Sequence, residues 1–377
     1  MAHTAAVAHV LICLDKLKGS LTAVCACAAL AEGLRAEGCL VVERPVADGG
    51  EGTVDALVRA GWQRVEQVVD GPTGQPVRAA FALRGARGVV ELAQASGLDL
   101  LPGGVPAPLE ASTYGTGQLL SAALDAGCSE LVLAVGGSAT TDGGSGMLQA
   151  LGAELLDRHG APVGRGGGAL GSVARVRLHG LDPRLSAAHV ILASDVDNPL
   201  LGERGAAAVF GPQKGADRAQ VALLQAGLAR LAGAVADELG ADHAASPGAG
   251  AAGGAGFAAL AGLGATRRSG ADLLLDELGV RAQLGDAVLV VVGEGRLDAQ
   301  SLAGKAPVRV AALAGSAGVP VVAVAGRVDL NDAQLAAAGI GAAYALVDLA
   351  PDEQTAVREA ARLLTQVGRG LASGLPR

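Results

Sequence analysis

Only four of the 29 Lys and Arg residues are lysine, and all four (Lys16, Lys18, Lys214 and Lys305) lie in glycine-containing motifs, DKLKGS, FGPQKGA and LAGKAP. A lysine ammonium is a compact point charge of the kind that a phosphate or a transferring phosphoryl group uses, and the planar fork of Arg is not its equivalent. The competing explanation is a handful of leftover surface lysines, which suits Lys16 best. Carboxylates form a second set. Asp15, Asp48 with Glu51, Asp142, and the pair Asp195 and Asp197 each follow a predicted strand directly or across a short glycine-rich turn. Open α/β sheets bind their ligands at that position. In Asp195-Val196-Asp197-Asn198-Pro199 the two carboxylates are two residues apart, so on extended backbone both can face one cleft and hold Mg2+ or orient a hydroxyl. An Asx turn ahead of Pro199 is the alternative. Asp195 comes first after the strand, where the backbone is most rigidly held, and is the candidate base. Asp197 and Asn198 lie farther into the loop, where metal or substrate contacts suit them.

The third set is made of glycine loops. Gly136-Gly137-Ser138-Ala139-Thr140-Thr141-Asp142-Gly143-Gly144 follows the apolar run Leu131–Val135 and precedes a helical stretch starting near Gly146. Its amides and hydroxyls can wrap a polyphosphate, with Asp142 addressing a metal. A side chain added at Gly137 is expected to obstruct phosphate approach with little effect on stability. Gly248-Ala249-Gly250-Ala251-Ala252-Gly253 matches GxGxxG but follows no convincing strand, so a phosphate cradle or close helix packing explains it better than a dinucleotide fingerprint.

Several chemistries are excluded. Lys305 is followed by Ala306, where a P-loop requires Ser or Thr. There is no GxSxG elbow, and the six histidines show no metal-ligand spacing. The five cysteines are odd in number and lack zinc-site spacing, as expected of reduced core residues in a cytoplasmic protein. Phosphoryl transfer needs positioning, a divalent ion and cationic charge, which Lys, Asp and glycine loops can supply.

Short apolar runs, glycine-rich turns and Ala/Leu-rich helices alternate along the chain, the pattern of an α/β fold with largely parallel strands. Strands are expected near residues 9–14, 41–44, 64–69, 79–83, 89–92, 131–135, 189–193, 287–292, 320–325 and 343–347, and the clearest helices at 21–37, 53–60, 117–126, 218–239, 308–317 and 351–371. A turn cluster at 70–74 and a composition change near Gly285 divide the chain into a discontinuous doubly wound domain, 1–74 plus 286–377, and an inserted α/β domain, 75–285.

Composition narrows the partners. With 377 residues, 50% hydrophobic, a net charge of −8 and 2% aromatic residues, the chain can bury a large core but has neither the basic field nor the stacking platforms of a nucleic-acid binder. The opening apolar run ends at Asp15 and reads as a first strand, and the uncharged stretch 248–266 is too rich in glycine for a membrane span.

In order along the chain, DKLKGSLTA (15–23), ADGGEGT (47–53), ELAQASGL (91–98), STYGTGQL (112–119), GGSATTDGGSGM (136–147), SDVDNPLLGERGAAAVFGPQKGA (194–216), PGAGAAGG (247–254) and GEGRLDAQSLAGK (293–305) resemble the bacterial glycerate kinases of the first type. The resemblance spans nearly the whole chain. It implies two α/β domains, one flavodoxin-like and one with a restriction-endonuclease-like core, an active site in the cleft between them, and transfer of the γ-phosphoryl of ATP to D-glycerate. In the branch most similar to these motifs the product is 2-phosphoglycerate; 3-phosphoglycerate, or another short hydroxy acid as acceptor, is the alternative. A homodimer is compatible with it. Lys16-Leu17 stands where the family usually has Ser-Phe, and Thr141 where it has Asn, so no role carries over to these three. The expected site joins both readings. Asp195, Lys18 and Lys214 are catalytic, and Asp15, Ser20, Asp48, Glu51, Asn198, Glu294, Asp298 and Lys305 bind substrate. Gly136, Gly137, Ser138, Thr140, Gly248, Gly250 and Gly253 bind nucleotide, and Asp142 and Asp197 hold Mg2+.

Overall fold

The computed structural model describes residues 8–46 and 50–375. Eleven strands build its two large sheets: β1 (His9–Leu14), β2 (Val41–Glu43), β3 (Gln63–Asp70), β4 (Pro76–Arg84), β5 (Arg87–Glu91), β6 (Glu130–Ala134), β7 (His189–Ala193), β8 (Thr266–Arg268), β9 (Ala287–Gly293), β10 (Val321–Ala325) and β11 (Ala342–Ala345). The helices used below are α1 (Ala23–Ala36), α2 (Thr53–Arg59), α3 (Tyr114–Asp125), α4 (Ser145–Ala150), α5 (Arg218–Leu239), α6 (Ala251–Phe257), α7 (Ala306–Ser316) and α8 (Ala360–Ala372). The architecture is mixed α/β with parallel pairing prominent in both sheets.

Contacts divide the chain into two compact units, one of residues 1–48, 55–61 and 271–377 and one of 49–54 and 62–270. These boundaries differ from those expected at 74 and 286. β3 pairs antiparallel with β4 from Gln63↔Leu83 to Asp70↔Pro76, so the turn cluster at 70–74 closes a hairpin inside one sheet.

The first unit is a five-stranded, wholly parallel sheet in the order β11-β10-β9-β1-β2. All six residues of β1 are buried, as befits a parallel strand covered on both faces. Val10, Ile12 and Leu14 join Leu289 and Val291 against α1 and α8. These two helices approach closely because Gly33 and Gly368 sit at their crossing: a Cβ on Gly33 would overlap the Thr365 carbonyl oxygen, and one on Gly368 would overlap that of Leu30. Leu30, Leu34, Leu363 and Leu364 are fully buried in the same cluster, and each contributes about 1.5–3 kcal/mol by leaving water. The helix expected over 351–371 is broken at Glu359, whose φ of −106° and ψ of 15° lie outside the helical region, leaving a separate short helix at Glu353–Arg358 before α8.

The second unit holds a six-stranded mixed sheet, β8-β7-β6-β5-β4-β3, parallel from β5 to β8 and antiparallel from β3 to β5. Phe81, Val90, Leu131, Leu133 and Leu192 pack with Leu119, Leu120 and Met147 in its core. α5 is long and apolar enough to cross a membrane by length and composition. Its Leu224, Leu228, Leu231 and Val235 are instead buried in a second cluster of this unit with Leu155, Leu170 and Phe257.

Candidate active site

In the first unit the crossover from β1 leads to β2 on one side, while that from β9 leads to β10 on the other. The adjacent carboxyl ends of β1 and β9 therefore form a topological switch point, where an open α/β sheet leaves a crevice. Register places Leu14 opposite Gly293, and the Asp15 amide donates to the Gly293 carbonyl at 2.8 Å. Asp15 and Glu294 thus leave the sheet side by side. Gly293 has no room for a side chain because a Cβ would overlap the Val324 carbonyl oxygen.

A pocket of about 530 Å³ lies at this point, lined by Asp15, Lys16, Lys18, Ser20, Glu294, Arg296, Asp298, Lys305, Arg327 and Glu353 among others. The loop after β1 is tight. Leu17 and Leu21 form a bridge, and Gly19 at φ +79° lets the chain turn before Thr22 caps α1 by accepting from the Cys25 amide. Lys18 is exposed and makes no hydrogen bond or ion pair with the described residues, whereas the Ser20 hydroxyl donates to the Val357 carbonyl at 2.6 Å. Glu294 is only 7% exposed. Lys305 Nζ donates to its Oε2 at 3.2 Å, and burial pushes its carboxyl above the usual carboxylate range. Asp298 organises its own turn by accepting from the amides of Gln300 and Ser301. Arg327 and Arg296 share Asp329, and their hydrogen bonds hold that carboxyl below its ordinary value. The sequence reading missed Arg327 and Glu353. Arg327 could have been found, since Gly326-Arg327 follows β10 just as Glu294 follows β9.

The second unit gathers the glycine loops. Asp142 is fully buried, and its Oδ2 accepts from the Thr113 amide at 2.8 Å, the Thr113 hydroxyl at 2.9 Å and the Gly146 amide at 3.3 Å, while Oδ1 accepts from the Gly144 amide at 3.1 Å. Burial raises its carboxyl, and the four hydrogen bonds oppose that rise. Asp142 therefore ties the loop to the start of α3 and to α4, and its lone pairs are committed within the protein. Lys214 is 2% exposed and donates to Ser138 Oγ at 2.8 Å and to the Thr140 carbonyl at 2.5 Å. Burial lowers its ammonium to about 7. A neutral amine has two N–H donors, enough for those two acceptors. Lys214 thus clamps the loop.

The glycines expected to bind nucleotide separate into two groups. Gly136 and Gly137 are at the accessible end of the loop, and their amides have no partner among the described residues. Gly137 lies at φ +74°, so a side chain there is strained, contrary to the expected small effect on stability. Ser138 and Thr140 are buried behind them. Gly248, Gly250 and Gly253 are buried and serve packing instead. A Cβ on Gly250 would overlap the Pro199 carbonyl oxygen, one on Gly253 would overlap that of Thr140, and one on Gly248 would stand 2.8 Å from Arg267 Cδ. Ala252, at φ 52°, opens a left-handed run through Gly253 and Gly254 that allows this approach.

Asp195 is exposed after β7, where its Oδ1 accepts from Ser269 Oγ at 2.8 Å. Asp197 pairs with Arg267 at 2.5 Å, and Asn198 Nδ2 donates to the Arg204 carbonyl at 2.8 Å, so the two acids do not form a preformed metal pair. Buried Glu91 accepts from the Gly52 and Val54 amides at 3.1 and 3.0 Å and fixes the segment carrying exposed Glu51. Asp48 lies outside the described residues. Among the described residues no group of three or more His, Cys, Asp or Glu side chains is placed to hold a metal ion.

A model of the glycerate kinase family matches residues 10–375. A Bacillus subtilis protein named glycerate kinase is 43% identical over 371 residues, covering 97% of each chain. An Escherichia coli protein named glycerate 2-kinase is 41% identical over 308 residues, 80% of this chain and 81% of its own. A crystal structure provisionally described as glycerate kinase 2 from Salmonella typhimurium LT2 is similar with a TM-score of 0.83 at 40% identity, over 97% of this chain and 98% of that one.

Proposed function

This chain belongs to the glycerate kinase family, and from that premise we propose that it transfers the γ-phosphoryl group of ATP to the 2-hydroxyl of D-glycerate, giving 2-phosphoglycerate and ADP. The observation that carries the reading is the pocket at the ends of β1 and β9, where the exposed Lys18 ammonium and the buried Glu294 carboxyl line one space. The name of the Escherichia coli relative supports the 2-position.

The acceptor is a small anion bearing hydroxyls, so its site needs a free cation for the carboxylate and hydrogen-bonding groups for the rest. Lys18 supplies the cation, and Asp15, Glu294 and Lys305 supply the polar wall. Phosphoryl transfer through a loose transition state asks the protein mainly for alignment and for charge where charge builds up. The accessible amides of Gly136 and Gly137 are oriented donors for nucleotide phosphate, held by Lys214 and Asp142 from behind. Asp195 is the group we assign to take the proton of the reacting hydroxyl late in transfer, oriented by Ser269.

Divalent metal enters as part of the substrate. The described residues do not form a resident metal site, because Asp142 has its oxygens filled by amides and hydroxyls and Asp197 is paired with Arg267. Mg2+ commonly keeps its waters and rides on nucleotide phosphates, so the nucleotide substrate is written as Mg·ATP. The same reading extends to a cytoplasmic enzyme with a flavodoxin-like first unit and a restriction-endonuclease-like core in the second. Coupling the product to enolase without phosphoglycerate mutase tests it: immediate phosphoenolpyruvate formation is expected, and a signal that requires added mutase contradicts it.

A further inference from the structure

Glu294 carries an orphan. Its Oε2 accepts from Lys305 Nζ, but its buried Oε1 has no donor in hydrogen-bond geometry: the Ser301 hydroxyl beside the carboxyl donates to the Arg296 carbonyl at 3.4 Å, and Oε1 is the buried side-chain atom in that condition among the described pocket residues. Of the other polar groups lining the pocket, Arg296 and Arg327 are engaged by Asp329 and Ser20 by the Val357 carbonyl, while Lys18 is exposed and not buried. Nor can Glu294 easily move away. Its own carbonyl accepts from the Gly326 amide at 3.2 Å, and Gly293 before it is wedged against the Val324 carbonyl.

We propose that Glu294 Oε1 is the hydrogen-bond partner of the glycerate hydroxyl that is not phosphorylated, and that it thereby selects a dihydroxy acid over an acid with a methyl group at that carbon. The proposal rests on the glycerate kinase reading above and adds a specificity-determining atom to it. A carboxyl oxygen already withdrawn from water gains a partner when the hydroxyl arrives, and remains unsatisfied when a methyl arrives instead. Burial raises the Glu294 carboxyl, while the neighbouring Ser301 hydroxyl and the Lys305 ammonium oppose that rise. A hydroxyl serves either protonation state, since it donates to a carboxylate and accepts from a carboxylic acid. A methyl group serves neither.

D-Lactate, which has the 2-hydroxyl but a methyl in place of the 3-hydroxymethyl, is the discriminating probe. The wild-type protein is expected to favour D-glycerate over D-lactate by about 10³-fold or more in kcat/KM, as sites built to bond a hydroxyl do. Glu294→Met should bring the two acids within about tenfold of each other, chiefly by loss on D-glycerate, with Glu294→Gln intermediate because its amide oxygen still accepts. Calorimetric binding of both acids without nucleotide should show the same narrowing, and thermal melting establishes that each variant is folded. A folded Glu294→Met protein that keeps the wild-type ratio overturns the proposal while leaving the kinase reading intact. A wild-type protein that phosphorylates neither acid removes that reading, and the proposal with it.

Discussion

Lys214 donates to the hydroxyl of Ser138, 76 residues away in sequence, at 2.8 Å from a site that is 2% exposed. This contact turns an apparent phosphate-binding lysine into the clamp of a loop. Lys214→Met is expected to lower kcat/KM for ATP by more than about tenfold, about 1.4 kcal/mol, through loss of loop position, and Lys214→Arg should not restore it because the larger fork does not fit the buried site. Steady-state kinetics check this, and wild-type behaviour of the Met variant contradicts it.

The same lysine gives a pH dependence. Burial lowers its value to about 7 when folded, whereas the unfolded chain keeps the ordinary value of about 10.4. Between those limits the unfolded state binds more protons, so this group makes stability rise with pH from about 7 to about 10. Urea midpoints measured across that range should climb in the wild-type protein and climb less in Lys214→Met. Parallel profiles would show that Lys214 does not titrate there.

Gly253→Ala tests whether the second glycine stretch packs or binds. Its Cβ would overlap the Thr140 carbonyl oxygen from a backbone at φ +67°, which costs about 2–4 kcal/mol by overpacking and left-handed strain. A substantial fall in melting temperature is expected without nucleotide. An unchanged melting temperature combined with weakened ATP binding would return Gly253 to the phosphate site.

Much of the fold was legible because β1, β6, β7 and β9 are apolar runs followed within two residues by glycine or aspartate, and their ends lie within a residue or two of the expected positions. The residues flanking those strands were legible for the same reason. The sheet membership was harder to read: the turn cluster at 70–74 reads as a domain boundary, yet the five residues between β3 and β4 are too few for a parallel crossover and join the two strands as a hairpin in one sheet. Sequence also could not separate a glycine that admits phosphate from one that admits a neighbouring carbonyl. Gly136 and Gly253 look alike in sequence, but the amide of one has no partner among the described residues and the other residue is pressed against Thr140. The ties between Asp142 and Thr113, and between Asp195 and Ser269, join segments 29 and 74 residues apart that no local spacing connects.

Lys18 and Lys16 provide an internal comparison. Both line the pocket, but Lys18 is the exposed one without a partner among the described residues. Lys18→Met should raise KM for D-glycerate and lower kcat/KM by more than about tenfold, with a smaller effect for Lys16→Met. Equal small losses in both would leave the acceptor carboxylate to another cation.

Asp195→Asn keeps the shape of the side chain and its contact with Ser269 but cannot take a proton. Most of kcat should be lost while ATP binding persists, since the proposed nucleotide contacts, Gly136 and Gly137, are elsewhere in the chain. Asp197→Asn releases Arg267 from its ion pair and should alter affinity more than turnover. The reverse pattern would exchange the two roles.

The central claim is the identity of the phosphorylated hydroxyl. Phosphorus NMR of the product formed from D-glycerate and Mg·ATP, recorded before any other enzyme is added, decides it. The account predicts the resonance of 2-phosphoglycerate in step with ADP release; a spectrum showing 3-phosphoglycerate, or ADP and free phosphate with no glycerate ester, would contradict it.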